Sequence, residues 1–467
     1  MKKFKMPTAY SILFTIIIIV AILTWIVPAG QYAYTETGEP IAGTYTRTIP
    51  NGQGIKDVLL APFQGLYDAI DIALFILMVG GFLGVVMKTG AISAGISGVI
   101  AKLHGREKYM IPILMTVFAL GGTTFGMAEE TIAFYPLLLP VFIAAGYDAV
   151  TAVSVILLGA GAGVLGSTVN PFATGIASGF AGISLGDGLV LRIIILVLSL
   201  AISIIYVMKY AAKVKVKPEN SYVYDMYEEN IRHFSLMSGD GESQSITSRQ
   251  KVALALFAVV FLIMIYSVIP FSDMGITFLP TLGWWFGELS ALFFVGAVVI
   301  GVVFGLSEED IVSSFVKGCE ELLGVAFIIG ISRGITVIMN SGLITDTILN
   351  WGEMALSGTN NILFTILNYL IFIPLSFLIP SSSGLATLSM PIMAPLADFS
   401  GVGRSLVITA FQCASGILNL LTPTSAVVMG ALAIGRVPYE KWLKFCWKLV
   451  LILFVLCGTA LAVASIM

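Results

Sequence analysis

Apolar residues in this chain do not alternate with polar ones. They gather into long runs separated by short polar stretches. The first run covers residues 7–27, and others lie at about 69–88, 148–166, 189–209, 251–269, 287–305, 320–339 and 446–466. A helix needs about 20 mainly apolar residues to cross the hydrocarbon core of a bilayer, and these runs meet or approach that length. Three further stretches, at about 109–145, 361–397 and 403–435, are broken by Gly, Ser, Thr and Pro. The predicted fold class is an all-α polytopic membrane protein.

Composition excludes the main alternatives. Of 467 residues, 58% are hydrophobic and only 11% are charged, whereas soluble domains carry about 25% charged residues. A soluble enzyme, a nucleic-acid binder and a disordered chain are all incompatible with this balance. Cys319, Cys413, Cys446 and Cys457 lie in or beside apolar runs without metal-ligand spacing and read as small buried residues. His104 and His233 are far apart in polar surroundings. No metal centre and no cofactor are expected.

Lys and Arg set the orientation. Lys2, Lys3 and Lys5 place the N-terminus in the cytoplasm. Lys88, Lys102, Arg106 and Lys108 mark another inside segment, as do the basic residues of 210–250 and Arg436, Lys441, Lys444 and Lys448 before the last run. Segments 182–188, 270–286 and 340–360 lack Lys and Arg and belong outside. The first run ends in Trp25-Ile-Val-Pro28 without a small-x-small cleavage site, so it reads as a retained helix. The expected location is the cell membrane, with the bilayer as a partner.

The two halves repeat with an offset near 252. Phe63, Phe75, Met87 and Gly90 fall on Phe315, Phe327, Met339 and Gly342. A short amphipathic stretch follows in each copy, Ala91–Leu103 and Thr345–Ala355. Next comes a small-residue tip, Gly121–Gly126 and Pro380–Gly384, and then a run broken at Pro171 or Pro423. The charge bias places the two copies in opposite orientations, as in many secondary transporters. The expected organisation is an N-terminal helix and outside loop (1–55), transport repeat 1 (56–209), a cytoplasmic linker (210–250), connecting helices (251–306) and transport repeat 2 (307–467).

The breaks carry the candidate chemistry. Irregular backbone at membrane depth must be buried in protein or line a wet cavity. Helix N-termini attract anions, while freed carbonyls and hydroxyls attract cations. Two hairpin tips and two Pro-broken helices meeting at mid-membrane would form one substrate site. The residues expected to bind substrate are Thr123, Thr124, Gly126, Glu129, Glu130, Ser167, Asn170, Arg333, Ser381, Ser382, Ser383, Asn419, Thr422 and Thr424, with a Na+ position near Ser167, Asn170 and Thr422. Small residues also serve close helix packing. Arg333 paired with one glutamate would be a purely structural tie. Trp284-Trp285-Phe286 reads most simply as an interfacial belt.

Several of these segments together resemble one family. They are Gly-Met-Ala-Glu-Glu-Thr-Ile with Phe-Tyr-Pro (126–136), Gly-Tyr-Asp (146–148), Ser-Thr-Val-Asn-Pro-Phe (167–172) and Pro-Ser-Ser-Ser-Gly-Leu-Ala (380–386). The chain resembles the YfcC/DcuC family, the anaerobic C4-dicarboxylate carrier group of the ion-transporter superfamily. The resemblance covers nearly the whole chain. It implies inverted repeats with re-entrant hairpins, elevator-type movement and a homodimer. One side of that family carries C4-dicarboxylates and the other is labelled as basic amino acid antiporters. The pair Glu129-Glu130 makes this chain look more like the second.

The leading expectation is a secondary active transporter of cationic amino acids of the arginine/ornithine type, working by antiport. The alternative is a C4-dicarboxylate carrier driven by an ion gradient or by exchange. An enzyme is not expected, because there is no Ser/His/Asp set, no metal cluster and no phosphate loop. No nucleotide-binding motif is present for ATP coupling. Ser/Thr/Asn-rich breaks permit Na+, the glutamates permit H+, and exchange needs neither.

Overall fold

The computed structural model describes residues 9–36, 40–92, 94–95, 106–184, 186–238, 247–268, 271 and 278–466. Lys2, Lys3 and Lys5, most of the stretch Ala91–Leu103 and the Gly/Ser-rich part of the linker lie outside the described residues.

The fold is all-α and polytopic, as its pattern predicts. Among the described residues, seven helices are long and apolar enough to cross a membrane. In the first half come α1 (Ala9–Ile26), α2 (Ile55–Asp68), α3 (Ile70–Lys88), α4 (Met110–Phe125), a 3-10 segment (Glu129–Phe134) leading into α5 (Tyr135–Ala144), α6 (Ala149–Leu165), a π-helical turn (Pro171–Gly175) leading into α7 (Ile176–Ala181), and α8 (Leu189–Val216). The linker carries α9 (Tyr227–Ser238). In the second half come α10 (Ser248–Val268), α11 (Phe286–Phe304), α12 (Glu308–Ser341), α13 (Thr345–Leu356), α14 (Asn361–Leu378), α15 (Ser382–Phe399), α16 (Arg404–Leu418), α17 (Ala426–Ile434) and α18 (Tyr439–Ala464). A two-residue ladder, Gly30–Gln31 against Thr46–Arg47, ties the loop after α1.

The helices pack mainly in two groups. The first holds α1, α2, α3, α10, α11 and α12, and the second holds α4 to α9 and α14 to α18. The groups meet where α17 lies against α12 and the 3-10 segment lies against α3. Glycine makes the first group's central seam. Gly65 lies against Gly330 and Gly334, Gly80 against Gly318, and Gly84 against Ser314, so that any Cβ there would strike backbone. As one number rises the other falls, so α12 runs antiparallel to α2 and α3. The second group shows the same relation at its centre. Gly161 of α6 faces Leu420 just beyond α16, and Gly416 of α16 faces Leu165 at the end of α6. The two helices cross antiparallel.

Two elements exceed what the apolar runs show. The run at 320–339 is the second part of a 34-residue helix, α12. The Ser307 side chain caps it by accepting from the Asp310 N–H, and Glu308, Glu309 and Asp310 complement the helix dipole in the first turn. The linker is ordered after α8. Tyr210 and Ser221 donate to the buried Asp148 carboxylate at 2.5 and 2.6 Å. Asp148 in turn caps α6 by accepting from the Thr151 N–H at 2.9 Å.

Candidate functional site

The first tip turns at the last residue of its small-residue run. α4 stays helical through Gly121–Phe125, and the chain reverses at Gly126, whose φ of +75° suits glycine. Phe118 and Phe134, each eight residues from Gly126, pack edge to face with centroids 5.3 Å apart across this hairpin. A helix of 16 residues is about 24 Å long and stops short of a full crossing. The second tip lies at Pro380–Ser381, between α14 and α15, and the Ser381 side chain caps α15 by accepting from the Gly384 N–H at 3.3 Å.

Each tip docks on the break of its own half. At the first, Thr123 donates to the Gly166 carbonyl at 3.0 Å, and the Thr123 carbonyl accepts from the Thr168 N–H at 3.1 Å. At the second, Thr424 donates to the Phe377 carbonyl at 2.7 Å, and Ser332 donates to the Thr424 carbonyl. Carbonyls freed at the second break are largely satisfied by protein. Trp442 Nε1 donates to Leu420 at 3.0 Å, and the Tyr439 hydroxyl donates to Leu421 at 2.8 Å.

Between the tips, the breaks and the first helix group lies a cavity of about 170 Å³. It is smaller than drug-sized pockets of ~300–1,000 Å³ and suits a small metabolite. Gly126, Glu129, Glu130, Asn170, Arg333, Ser381, Ser382, Ser383, Asn419 and Thr424 line it. Thr123, Thr124, Ser167 and Thr422 do not. Thr123 positions the tip, and Thr124 back-bonds to the Leu120 carbonyl at 2.6 Å. Ser167 accepts a hydrogen bond from Thr174 behind the lining, and the Thr422 and Thr424 hydroxyls pair at 2.8 Å. The carbonyls of Leu420 and Leu421, next to Thr422, are those taken by Trp442 and Tyr439.

The cavity is lined by side chains of both charges. Glu129 is half-buried and faces it. Glu130 is buried, and its carboxylate accepts from the Ala128 N–H at 3.1 Å. The pair stands on the 3-10 segment, about 120° apart rather than the ~100° of an α-helix, so the two side chains diverge more than helical spacing predicts. The same cavity is lined by the starts of α15 and α17, through Ser382, Ser383, Ala426 and Val427, and by Arg333 of α12, whose positive charge acts on Glu129. The first N–H groups of a helix have no intrahelical partner and favour anions. Among the described residues Arg333 makes no ion pair within 4.0 Å, although its charge acts on Glu129.

The sequence reading missed some of the lining. Trp285 and Phe286 border the cavity rather than serving only as an interfacial belt, and Ile72, Ser332 and Ser425 join them. Ser332, adjacent to Arg333, and Ser425, adjacent to Thr424, carried a polar signal. Among the described residues no group of His, Cys, Asp and Glu could hold a metal ion.

Comparison with known proteins gives the chain a family. The chain matches the family described as C4-dicarboxylate anaerobic carrier over residues 6–466. It is 36% identical to an uncharacterized protein of Haemophilus influenzae, with 96% of this chain and 95% of the other covered. It is 31% identical to the Escherichia coli protein named "Putative basic amino acid antiporter YfcC", with 100% and 97% covered. Among solved structures, the YdaH transporter of Alcanivorax borkumensis aligns with a TM-score of 0.42 at 14% identity, with 98% of each chain covered.

Proposed function

Since the chain belongs to the C4-dicarboxylate anaerobic carrier family and is a multi-pass membrane transporter, we propose that it is a secondary active carrier of cationic amino acids, exchanging arginine- or ornithine-type substrates. The mixed lining of the cavity, two carboxylates together with Arg333 and two helix starts, supports this reading. An amino acid presents a carboxylate, which suits the starts of α15 and α17 and Arg333. A cationic side chain suits Glu129 and Glu130. A charge brought into this half-buried site needs an opposite charge or firm hydrogen bonds to offset lost hydration.

The helix groups support a movement. We read α4 to α8 and α14 to α18 as the body that carries substrate, and α2, α3, α11 and α12 as the frame. The antiparallel crossings of α3 with α12 and of α6 with α16, elements equivalent at the repeat offset, support inverted repeats. Alternating access then follows as an elevator-type shift of the first body against the second, in the cell membrane, with a cytoplasmic N-terminus and a homodimeric assembly.

A C4-dicarboxylate is the second reading. The family description and Arg333 favour it. Its second carboxylate would face Glu129 and Glu130 with only Arg333 to offset the repulsion. Thermal stabilisation of the purified protein by arginine, ornithine, lysine, citrulline, succinate and fumarate separates the two. Stabilisation by the cationic amino acids alone is expected. Stabilisation by succinate or fumarate without any amino acid would replace the first reading with the second.

A further inference from the structure

We propose that Na+ binds between the first helix break and α16, held by oxygens of Ser167, Thr174, Ser178 and Gln412. The site is separate from the substrate cavity, since none of the four residues lines it. All four side chains are buried, with Ser167 and Thr174 at 0%, Gln412 at 1% and Ser178 at 2% exposure. Gln412 Nε2 donates to Thr174 Oγ1 at 2.9 Å, and Thr174 Oγ1 donates to Ser167 Oγ at 2.8 Å. Among the described residues, Gln412 Oε1 has no hydrogen-bond partner, and neither has Ser178 Oγ, four residues beyond Thr174.

An oxygen buried without a partner costs about 1–3 kcal/mol, and here two occur, Gln412 Oε1 and Ser178 Oγ. The backbone adds to the preference for a cation. The C-terminal end of α6, at Leu165, lies just before Ser167, and the C-terminal end of a helix carries partial negative charge. The π-helical turn from Pro171 to Gly175 places Thr174, and Ser178 follows four residues later on α7. Hydroxyl, amide and carbonyl oxygens are the ligands that hard cations take. The site has no carboxylate, so its own charge is zero. A divalent ion would be left uncompensated there, and a monovalent ion is the better match.

The position gives the ion a role, which rests on the transporter reading. Ser167 and Thr174 bracket Asn170, which lines the substrate cavity, and Gln412 comes from the other half of the chain. Na+ bound here would fix the break in one shape and join the two halves of the carrying body. Substrate and ion would then raise each other's affinity by the same factor.

Binding is tested without substrate, so the outcome does not depend on which solute is carried. Thermal unfolding of the full-length protein is followed as NaCl replaces choline chloride at constant ionic strength. A saturable rise in Tm is expected for the parent. Gln412→Met and Ser178→Ala should unfold normally in choline but need about tenfold more Na+ for the same rise. If Gln412→Met fails to fold, Ser178→Ala decides, because it removes one oxygen and no methylene. No saturable response in the parent would mean a polar pocket holding water only. A parent-like response in the folded variants would place the ion elsewhere. Either result overturns the proposal.

Discussion

Glu129→Gln removes one negative charge from the cavity and keeps the side chain's size. Glu129 is half-buried and faces the cavity, while the Glu130 carboxylate is engaged by the Ala128 N–H at 3.1 Å. On the proposed reading, Glu129 is the carboxylate placed to meet a substrate cation. A charge pair about 4 Å apart at an effective dielectric of ~20 is worth at most ~4 kcal/mol. Desolvation of both ions and the hydrogen bond that Gln retains reduce this to about 2 kcal/mol, or roughly 30-fold in affinity. Arginine and ornithine should lose that factor. Citrulline, which has the same length without the charge, should change by less than about threefold. Titration calorimetry on purified parent and variant measures both. Glu130→Gln should weaken the hairpin tip and lower the transport rate more than it changes this selectivity. Arginine binding by Glu129→Gln at the parent's affinity would refute the assignment, and an equal loss for arginine and citrulline would make Glu129 a structural residue.

The tips, breaks and seam give further expectations. Gly126→Ala forces a side chain into the left-handed region and places a Cβ 2.6 Å from Asn170 Oδ1. It should abolish transport while the protein still inserts, as read by uptake beside size-exclusion behaviour. Asn170→Ala removes both a cavity-lining amide and the acceptor of the Ala173 N–H at 3.2 Å, and should weaken substrate binding by ~1–3 kcal/mol in the same calorimetric assay. Gly318→Leu would strike the Gly80 backbone where α3 and α12 touch, and should lower Tm or prevent folding, whereas a leucine at lipid-exposed Val302 should not. Single cysteines at Thr124 and Ser382, in a background without the four native cysteines, should label from the cytoplasm and from outside respectively. Labelling of both from one side only, in every transport state, would end the inverted-repeat reading.

Much of the fold is legible because the bilayer imposes a length rule on apolar runs. Residues 69–88, 189–209 and 287–305 became helices close to those bounds. The rule fails where burial in protein replaces burial in lipid. The polar start of α12 and the linker helix α9 are held by caps and by packing against neighbours, and no hydropathy window registers either. The tips and breaks were legible through Gly126, Asn170, Pro380 and Thr424, residue types that favour irregular backbone within an apolar run. What could not be read was which polar residues face the cavity and which support it. Thr123, Ser167 and Thr422 match the lining residues in type, yet hydrogen bonds to partners more than 40 positions away (Thr123 to Gly166), 7 away (Ser167 with Thr174) and 2 away (Thr422 with Thr424) decide their roles. Gln412 drew no notice in an apolar helix, and its setting emerges only when α16 meets the π-helical turn.

Counterflow in proteoliposomes tests the central claim most directly. Vesicles holding the purified protein are loaded with unlabelled ornithine and diluted into labelled arginine. Arginine uptake should rise well above that of empty vesicles, and internal succinate should not stimulate it. Uptake of labelled succinate, stimulated by internal succinate and indifferent to arginine and ornithine, would contradict the cationic amino acid reading and establish the dicarboxylate one.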